Sequence, residues 1–504
     1  MNLRIDSGRS RSLPLVALAG VACGIGPALA QPITFQRVIA TQAQERGNAI
    51  VQTGDGGYAI VGERELPGGN VDIWVARFDS AGNTIWETQI AGPAGNNNNE
   101  RGLSIVQTFD GGFAIAAETT SSPAGFHTLL LKVGPGGNLF WTRLYEGSQI
   151  DFNPELGCRV WEMPNRDLVL VGRRQLGLNT QAPTIIRTDS AGTTIFAFSY
   201  VDSRFAVPYG GLLDVRPFVP NSGDVVAVGW TSPGINMSRQ AYSLRVDAAG
   251  NVISSLGHTP PDLNVYLNGI DVRPNNLGAF VSGRLGTGAP QSFFFSHNGA
   301  LFATNSQTYG NVVFANATIW ERNGEAFLAG RTNSPDAAWF NLSAGGVPLA
   351  ALRYGGNDAD AIRGMFPADS GWAMAGLTRS FTAGLLDDVY FLKSGPQGRT
   401  GCNEAPLQVQ AQASPWLNQQ VPVQRRPVER VNWNPVQLDL ESRNIVECLD
   451  CPADFNDDGI VDFFDYLDFV ASYAVGAPRA DFNNDGTVDF FDFLDFAQAF
   501  NNGC

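Results

Sequence analysis

The chain has 504 residues, of which 16% are charged and 57 are glycine, and its formal net charge at pH 7 is −15. This length exceeds what one compact core usually holds, so two or more structural units are expected. The acidic balance argues against nucleic acid as a partner, and the low charge with abundant glycine favours a β-rich protein over a helical one.

The first 30 residues have the pattern of an export signal. A basic start with three arginines before residue 12 leads into an apolar stretch that ends in the small-residue sequence ALA at 28–30. Cleavage after Ala30 would leave Gln31 as the first residue of a secreted or cell-surface protein. No other segment is apolar over enough residues to cross a bilayer, so no transmembrane segment is expected.

Residues 31–404 repeat one pattern seven times. ERGNAIVQTGDGGYAIVGE from Glu45 matches ERGLSIVQTFDGGFAIAAE from Glu100, and fainter copies follow. Each copy carries a small residue at one register, namely Gly62, Ala117, Gly172, Gly229, Gly283, Gly330 and Gly376. Each copy also contains four short runs rich in Val, Ile, Phe and Trp, separated by Gly, Asn and Asp turns. Seven such four-stranded units predict a mainly β fold, a seven-bladed β-propeller.

The ends of this region indicate how the ring closes. The seventh unit stops after its third strand, DDVYFLKSG, whereas ITFQRVIAT from Ile33 aligns with the fourth strand of the first unit, TIWETQIAG from Thr84. We therefore predict that Ile33–Ala40 supplies the outer strand of the last blade, which would leave no unpaired edge. The repeats resemble the DGGY-type propeller repeats of secreted bacterial proteins.

The sequence of the propeller does not assemble a catalytic site. The residue after each small position could line an axial mouth, or could simply be a surface or strand-end residue; these are Glu63, Glu118, Arg173, Trp230, Arg284, Arg331 and Leu377. His127, His258 and His297 are not expected to cluster, so the sequence does not indicate a zinc site or a Ser-His-Asp triad. No catalytic residue is predicted. A carboxylate pair for glycosidic cleavage stays open, because a sequence does not give distances.

Residues 405–447 are rich in Pro and Gln and are interpreted as a semi-extended connector. Part of this connector is expected to pack on the propeller through Trp416 and Trp433. Residues 448–504 follow as a separate module with twelve aspartates and one arginine. Export would permit disulfides. Cys451–Cys504 could clasp the ends of this module, Cys402–Cys448 is the next candidate pair, and Cys158 remains.

The acidic module contains two near-copies, DFNDDGIVDFFDYLDF from Asp454 and DFNNDGTVDFFDFLDF from Asp481. Their spacing predicts a calcium loop in each copy, with oxygen ligands at loop positions 1, 3, 5, 7, 9 and 12 and glycine at position 6. The ligands in the first loop are Asp454, Asn456, Asp458, Ile460 (through its carbonyl), Asp462 and Asp465. The ligands in the second loop are Asp481, Asn483, Asp485, Thr487 (through its carbonyl), Asp489 and Asp492. Two calcium ions are therefore expected.

Each loop leads into a short amphipathic helix. A loop followed by a helix, twice, resembles a type I dockerin module. That resemblance implies that calcium folds the module and that a cohesin-like domain is the partner, with Phe463–Phe464 and Phe490–Phe491 at the partner-reading positions. The same phenylalanines could instead belong to the module's core.

Taken together, the sequence predicts an exported, non-catalytic protein. Its propeller would be a binding or structural platform, and its calcium-dependent tail would dock it to a partner at the cell surface or in an extracellular assembly. The alternative is a polysaccharide-degrading enzyme of the glycoside hydrolase type, or a propeller that binds a polysaccharide or cell-surface glycan, tethered by the same tail.

Overall fold

The β-branched and aromatic runs of the repeat form strands, and the Gly, Asn and Asp turns between them form hairpins. The computed structural model describes residues 34–41, 43–66, 68–93, 99–122, 125–145, 148–149, 159–177, 179–218, 222–234, 237–259, 265–272, 279–285, 291–298, 300–310, 312–314, 320–334, 336–381, 386–413, 417–428, 430–431, 436–439, 442–449, 453, 455, 463–483 and 487–502. The strands form seven antiparallel sheets, and each sheet is one blade of a propeller. The predicted seven-bladed fold is confirmed.

The first strand, β1 (Phe35–Ala40), belongs to the last blade. Blade 1 contains β2 (Glu45–Gln52), β3 (Tyr58–Glu65), β4 (Val71–Phe78) and β5 (Thr84–Ala91). Blade 2 contains β6 (Glu100–Gln107), β7 (Phe113–Ser122), β8 (Gly125–Val133) and β9 (Leu139–Tyr145). Blade 3 contains β10 (Ser148–Gln149), β11 (Val160–Glu162), β12 (Leu168–Gly177), β13 (Thr180–Thr188) and β14 (Thr194–Asp202).

Blade 4 contains β15 (Tyr209–Pro217), β16 (Val225–Ser232), β17 (Gln240–Val246) and β18 (Val252–Thr259). Blade 5 contains β19 (Val265–Val272), β20 (Ala279–Leu285), β21 (Gln291–His297) and β22 (Ala303–Tyr309). Blade 6 contains β23 (Val312–Phe314), β24 (Trp320–Arg322), β25 (Glu325–Thr332), β26 (Ala337–Leu342) and β27 (Pro348–Tyr354). Blade 7 contains β28 (Asp360–Ala368), β29 (Gly371–Thr378) and β30 (Asp388–Ser394), followed by β1.

The ring closes through the N-terminal strand, as predicted. Strand β1 pairs antiparallel with β30, with Phe35 opposite Lys393 and Ile39 opposite Val389. The hydrophobic core lies between neighbouring blades. One cluster, for example, joins Val61 of blade 1 to Ile115 and Leu131 of blade 2. Closure therefore gives the last blade a fourth strand and lets it pack on the first.

A fifth strand lies on the outside of every blade. After blade 7 the chain runs around the propeller in the reverse order, from blade 6 down to blade 1 and then to blade 7, and it adds one short strand to each. These strands are β31 (Glu404–Pro406), β32 (Ala411–Ala413), β33 (Leu417–Gln420), β34 (Val423–Pro427), β35 (Arg430–Val431), β36 (Val436–Asp439) and β37 (Arg443–Leu449). We call residues 404–449 the belt.

The belt corrects the interpretation of residues 405–447 as a connector between two modules. The segment is extended, as expected, but its backbone hydrogen bonds are made with the outer strands of the propeller. Val421 and Val428, which lie between belt strands, are buried and pack into the cores of blades 3–4 and 2–3. Proline and glutamine suit this position, because an edge strand needs hydrogen bonds on one side only. Trp416 and Trp433 lie outside the described residues.

In blades 1, 2, 4, 5 and 7 a bulge on the innermost strand lies opposite the small residue of the repeat. In blade 1 the register shifts between Gly47 and Ala49, opposite Gly62. The bulge brings the carbonyl oxygen of Arg46 so close that a Cβ on Gly62 would lie 1.8 Å from it. Gly376 meets the carbonyl of Ala361 at the same 1.8 Å. Close backbone approach therefore selects the small residue.

A buried cation recurs on the third strand of several blades. Arg77 pairs with Asp55 at 2.5 Å and Lys132 pairs with Asp110 at 2.9 Å. The remaining lysine of the chain, Lys393, lies at the equivalent register in blade 7. The two lysines therefore occupy a repeated structural position below the first hairpin of their blades.

The C-terminal module has two helices, α1 (Phe463–Ala474) and α2 (Phe490–Asn502), joined through a 3-10 turn at Pro478–Ala480. Phe469 and Phe496 occupy the same position in the two copies, and their rings stack at 3.9 Å between centroids and 6° between planes. Neither helix in the described part of the chain is long and apolar enough to cross a bilayer.

Candidate functional site

The second acidic copy folds back onto the start of its helix. The carboxylate of Asp492 is fully buried, and its two oxygens accept the backbone N–H groups of Asn483 at 3.1 Å and Asp489 at 2.7 Å. Asp489 in turn accepts the backbone N–H of Phe491 at 2.8 Å. Residues 489 and 492 thus form a reciprocal cap of α2, and predicted loop positions 3, 9 and 12 come together at the positive end of the helix.

The donor set of this loop fits a hard cation. A carboxylate has about four lone-pair sites, so Asp492 can accept two N–H groups and still offer oxygen to an ion. Asp465, the equivalent residue of the first copy, is also fully buried in the first turn of α1. Asp481, Asn483 and Thr487 add oxygen atoms in the second copy. Calcium prefers oxygen ligands of this kind.

Six of the twelve predicted ligands lie outside the described residues. They are Asp454, Asn456, Asp458, Ile460, Asp462 and Asp485. Among the residues that are described, no group of three His, Cys, Asp or Glu side chains is arranged to hold a metal ion. Both calcium loops therefore remain predictions.

The four phenylalanines at the predicted partner-reading positions are solvent-exposed rather than core residues. Phe463 and Phe464 are each 64% exposed, and Phe490 and Phe491 are 62% and 61% exposed. Leu467 and Leu494, one turn further on, are 43% and 46% exposed. The core is filled from other helix positions. Each helix therefore shows an equivalent apolar patch at its N-terminal end, which we call the phenylalanine patches.

The axis of the propeller is closed by large side chains. One residue of each innermost strand occupies the same register, and these residues are Val51, Val106, Trp161, Arg216, Asp271, Trp320 and Phe366. The guanidinium of Arg216 lies 4.4 Å from the ring of Trp161 and 5.2 Å from that of Trp320. The two indoles, from blades 3 and 6, are 6.4 Å apart. This ring therefore forms a plug across the channel.

The residues suggested for an axial mouth are built into strands instead. Glu63 is buried inside β3 and pairs with Arg46 at 3.2 Å and with Arg101 of blade 2 at 2.8 Å. Trp230 is fully buried inside β16. Both residues are buried within strands, so neither the mouth nor the surface or strand-end position suggested as the alternative fits them.

Close carboxylates occur, but they are buried between blades. Burial, together with the neighbouring Glu45, raises the pKa of Asp388 to about 7. Burial, with a smaller effect of Glu100, likewise raises the pKa of Asp72 to about 6. Glu45, Asp388, Asp72 and Glu100 are each at most 4% exposed. These pairs fix blade junctions and do not face a cleft.

Two of the three histidines do cluster, which corrects the expectation from sequence. The Nε2 atoms of His258 and His297 are 3.3 Å apart, and Ser243 Oγ lies 2.9 Å from the first and 3.2 Å from the second. His258 Nδ1 lies 2.8 Å from Oδ1 of Asn418 on the belt. The sequence did not indicate this contact, because the two histidines are 39 positions apart and lie in different, adjacent blades. Both histidines are at most 1% exposed, so a substrate does not reach them.

A groove of about 700 Å³ lies between blades 6 and 7. Its floor includes Phe327, Trp339 and Trp372, its rim includes Arg322 and Arg399, and belt residues 406–409 form one wall. No local pattern in the sequence indicated this groove, because two blades and the belt build it together. Its volume is in the range of small-molecule sites.

No protein-family model matches the chain, and no curated protein matches it. Solved structures with a similar fold include a protein of unknown function from Dyadobacter fermentans, with 11% identity over 71% of this chain and 97% of that chain and a TM-score of 0.40. An ulvan lyase, a polysaccharide lyase bound to GlcA(1-4)Rha3S, has 11% identity over 73% and 96% and a TM-score of 0.40. A glucose dehydrogenase has 14% identity over 58% and 95% and a TM-score of 0.32. Likenesses this distant carry no argument about this chain.

Proposed function

We propose that the protein is an exported, non-catalytic platform whose C-terminal module docks it to a cohesin-like protein partner in a calcium-dependent way. The observation that carries this proposal is the pair of phenylalanine patches. Four phenylalanines more than 60% exposed are unusual in a soluble module, and exposed aromatic residues at corresponding places on two helices are typical of a protein interface.

Calcium would act as the folding partner of the module. Asp481, Asn483, Asp489 and Asp492 would hold an ion in the second loop, and Asp465 with the first acidic copy would hold the other. The ion would neutralise carboxylates that otherwise repel each other next to the two helix N-termini. Calcium modules of extracellular proteins typically bind with dissociation constants of about 10⁻⁴–10⁻³ M. The patches would then form outside the cell, where calcium is abundant.

A calcium titration of the full-length protein tests the folding step. We expect two equivalents of heat by calorimetry and increased amide protection across α1 and α2, with the propeller strands unchanged. Excess chelator should reverse both signals. A module that stays equally protected in chelator, with no calcium heat, would contradict the proposal.

The docking step is tested with the four phenylalanines replaced by serine, measured by biolayer interferometry against a panel of cohesin-type domains. Wild type should bind at least one domain in calcium and none in chelator, and the quadruple variant should lose binding. A matched control replaces two propeller residues of similar exposure, Ile85→Ser and Phe140→Ser, and should bind as wild type does. Binding by the quadruple variant at wild-type affinity would overturn the role of the patches.

A second candidate function is carbohydrate binding by the propeller, and the groove between blades 6 and 7 favours it. Glu325 is the single carboxylate among the described residues that line this groove. Glycosidic cleavage requires a pair of carboxyl groups on either side of the bond. The groove therefore favours binding over the hydrolysis considered as an alternative from the sequence.

A further inference from the structure

We propose that the groove between blades 6 and 7 binds a neutral oligosaccharide. This inference deepens the second candidate function and does not depend on calcium or on the docking module. It rests on why the groove exists, on two polar atoms in its wall, and on the balance of charge at its rim.

The groove exists because two large side chains of the repeat are replaced by small ones in blade 6. In blade 1, Trp86 of the fourth strand lies opposite Arg77 of the third. Trp86 closes the junction to blade 2, because its ring packs over Gly137 and its indole N–H donates to the carbonyl of Pro135 at 2.9 Å. The equivalent pair in blade 6 is Ala350 opposite Asn341.

Blade 2 repeats the arrangement of blade 1. Trp141 lies opposite Lys132, and its ring packs over Gly192 in the hairpin of blade 3. At the junction of blades 6 and 7 the hairpin glycine, Gly398, lies over the buried ring of Trp339 instead. The space that a tryptophan fills at two other junctions is therefore not filled by Ala350 at this one.

The wall of the groove contains a buried donor and a buried acceptor without partners. Among the described residues, Trp339 Nε1 and Asn341 Oδ1 have no hydrogen-bond partner. The amide of Asn341 is held in place because its Nδ2 donates to Glu325 at 2.8 Å. Residues 339 and 341 are two apart on β26, so their side chains lie on the same face of the sheet. Each of these buried polar atoms is costly to leave without a hydrogen bond.

Hydroxyl groups can satisfy either atom, because a hydroxyl accepts from an N–H and donates to a carbonyl oxygen. A sugar offers several hydroxyls at short spacing together with apolar C–H faces. Leu349, which is 53% exposed, and Pro348 provide apolar surface beside the polar pair. This combination of apolar walls and a few fixed polar groups is typical of a site for an organic ligand.

The charges at the rim argue for a neutral sugar. Arg399 is already paired with Glu404 at 3.0 Å, and Glu325 is held by Asn341. The lining residues thus do not present the clustered arginines that a uronate or sulfated sugar requires. Pro406–Val409 of the belt shape the outer wall, so the site needs the belt in place.

The test is calorimetry and ligand-observed NMR with cellohexaose, xylohexaose, mannohexaose and laminarihexaose on the full-length protein, in calcium and again in chelator. Wild type should bind at least one of these probes equally in both conditions. Ala350→Trp, which restores the side chain that blades 1 and 2 have, should fill the groove and weaken binding at least 10-fold. Trp339→Phe keeps a ring but removes the N–H, and should weaken binding about 2- to 10-fold.

The matched control is Ser254→Trp, which adds the same side chain at the equivalent register of blade 4, away from the groove. It should bind as wild type does, and thermal melts should show that all variants fold. The proposal is overturned if no probe binds wild type, or if Ala350→Trp binds as tightly as Ser254→Trp does. A failure of docking would leave these results unchanged, because none of the substitutions touches the phenylalanine patches.

Discussion

In the propeller, ring closure and the belt pair strands from distant parts of the chain, whereas the two-helix module packs side chains from residues 455–500. Phe35 lies opposite both Lys393 and Leu449, on its two sides. In the module, a duplicated segment packs on its own copy through Phe469 and Phe496. The difference shows two routes to order in one chain. Each blade of the propeller buries many residues, whereas the core of the module is so small that the module needs a further source of stability.

The largest expected effect is on the module. Phe496→Ala removes one ring of the central stack and should destabilise the helix pair by about 3–5 kcal/mol, enough to unfold it. Hydrogen exchange of the full-length protein should show α1 and α2 losing protection while the propeller strands keep theirs. Phe490→Ala removes the same side chain from an exposed position and should leave protection unchanged. Equal effects of the two substitutions would show that the module has no defined core.

The bulge of the innermost strands provides the corresponding test in the propeller. Gly62→Ala places a Cβ 1.8 Å from a backbone oxygen and should cost about 3 kcal/mol or more, because the backbone itself must move. The matched change is Ala117→Gly at the same register of blade 2, which should cost about 1 kcal/mol or less. Urea denaturation followed by tryptophan fluorescence would compare them. Similar midpoints would contradict the steric explanation.

Acid should weaken the propeller through its buried histidines. Burial lowers the pKa of His258 to about 4, and burial with the neighbouring His258 lowers the pKa of His297 well below its usual value. Between pH 6.5 and 4 the unfolded chain binds protons that the folded chain does not, so stability is full above pH 6.5 and falls as the pH drops towards 4. The loss from His258 is on the order of 2–3 kcal/mol.

The groups that face this histidine pair are Ser243 and, on the belt, Asn418. Melting temperatures of wild type and of His258→Gln measured from pH 7 to pH 4 would check the prediction. The variant lacks one titrating group and should show a shallower decline. Parallel curves would mean that other groups dominate the acid response.

The smallest effect is expected at the repeated ion pair below the first hairpin. Asp110→Asn removes the partner of Lys132, but more than half of the carboxylate's surface is exposed. Exposed partners contribute little, so the cost should be about 1 kcal/mol or less. A double-mutant cycle with Lys132→Met, measured by urea denaturation, would give the coupling energy. A coupling well above 1 kcal/mol would show that the pair is shielded from water.

The sequence was sufficient to predict the blades and their closure, because both depend on local patterns. Alternating apolar residues mark each strand, and the missing fourth strand of blade 7 matches the spare segment at Phe35–Ala40. The same reasoning did not find the belt. Its strands have two to seven residues and few apolar side chains, so nothing local distinguishes them from a Pro-rich linker. Their pairing depends on the outer edges of blades that lie far away in the sequence.

The candidate sites show the same difference between features with a local sequence pattern and features that depend on long-range contacts. The acidic loops were found by their spacing, which is a local property. The exposure of Phe463 and Phe490 was left open, because a small helix pair has more apolar residues than its core can take. The histidine pair and the groove at Ala350 were missed, since each depends on which residues of neighbouring blades face each other. An alignment of the seven repeats could have shown that Ala350 stands at the position where blade 1 has Trp86.

The belt also sets an order of events during synthesis. Each of its strands pairs with the outer strand of one blade, so a chain whose blades have not yet formed carries some forty residues of unpaired, proline-rich backbone. Cys402 is disulfide-bonded, and its carbonyl accepts a hydrogen bond from Gln36, the residue that lies opposite Cys448 in the ladder between β1 and β37. The segment just before the belt and the last strand of the belt therefore both lie against β1, the first strand in the chain. A protease that cuts loose segments would therefore remove residues 450–504 from molecules whose belt has not paired and would leave them on the finished ones.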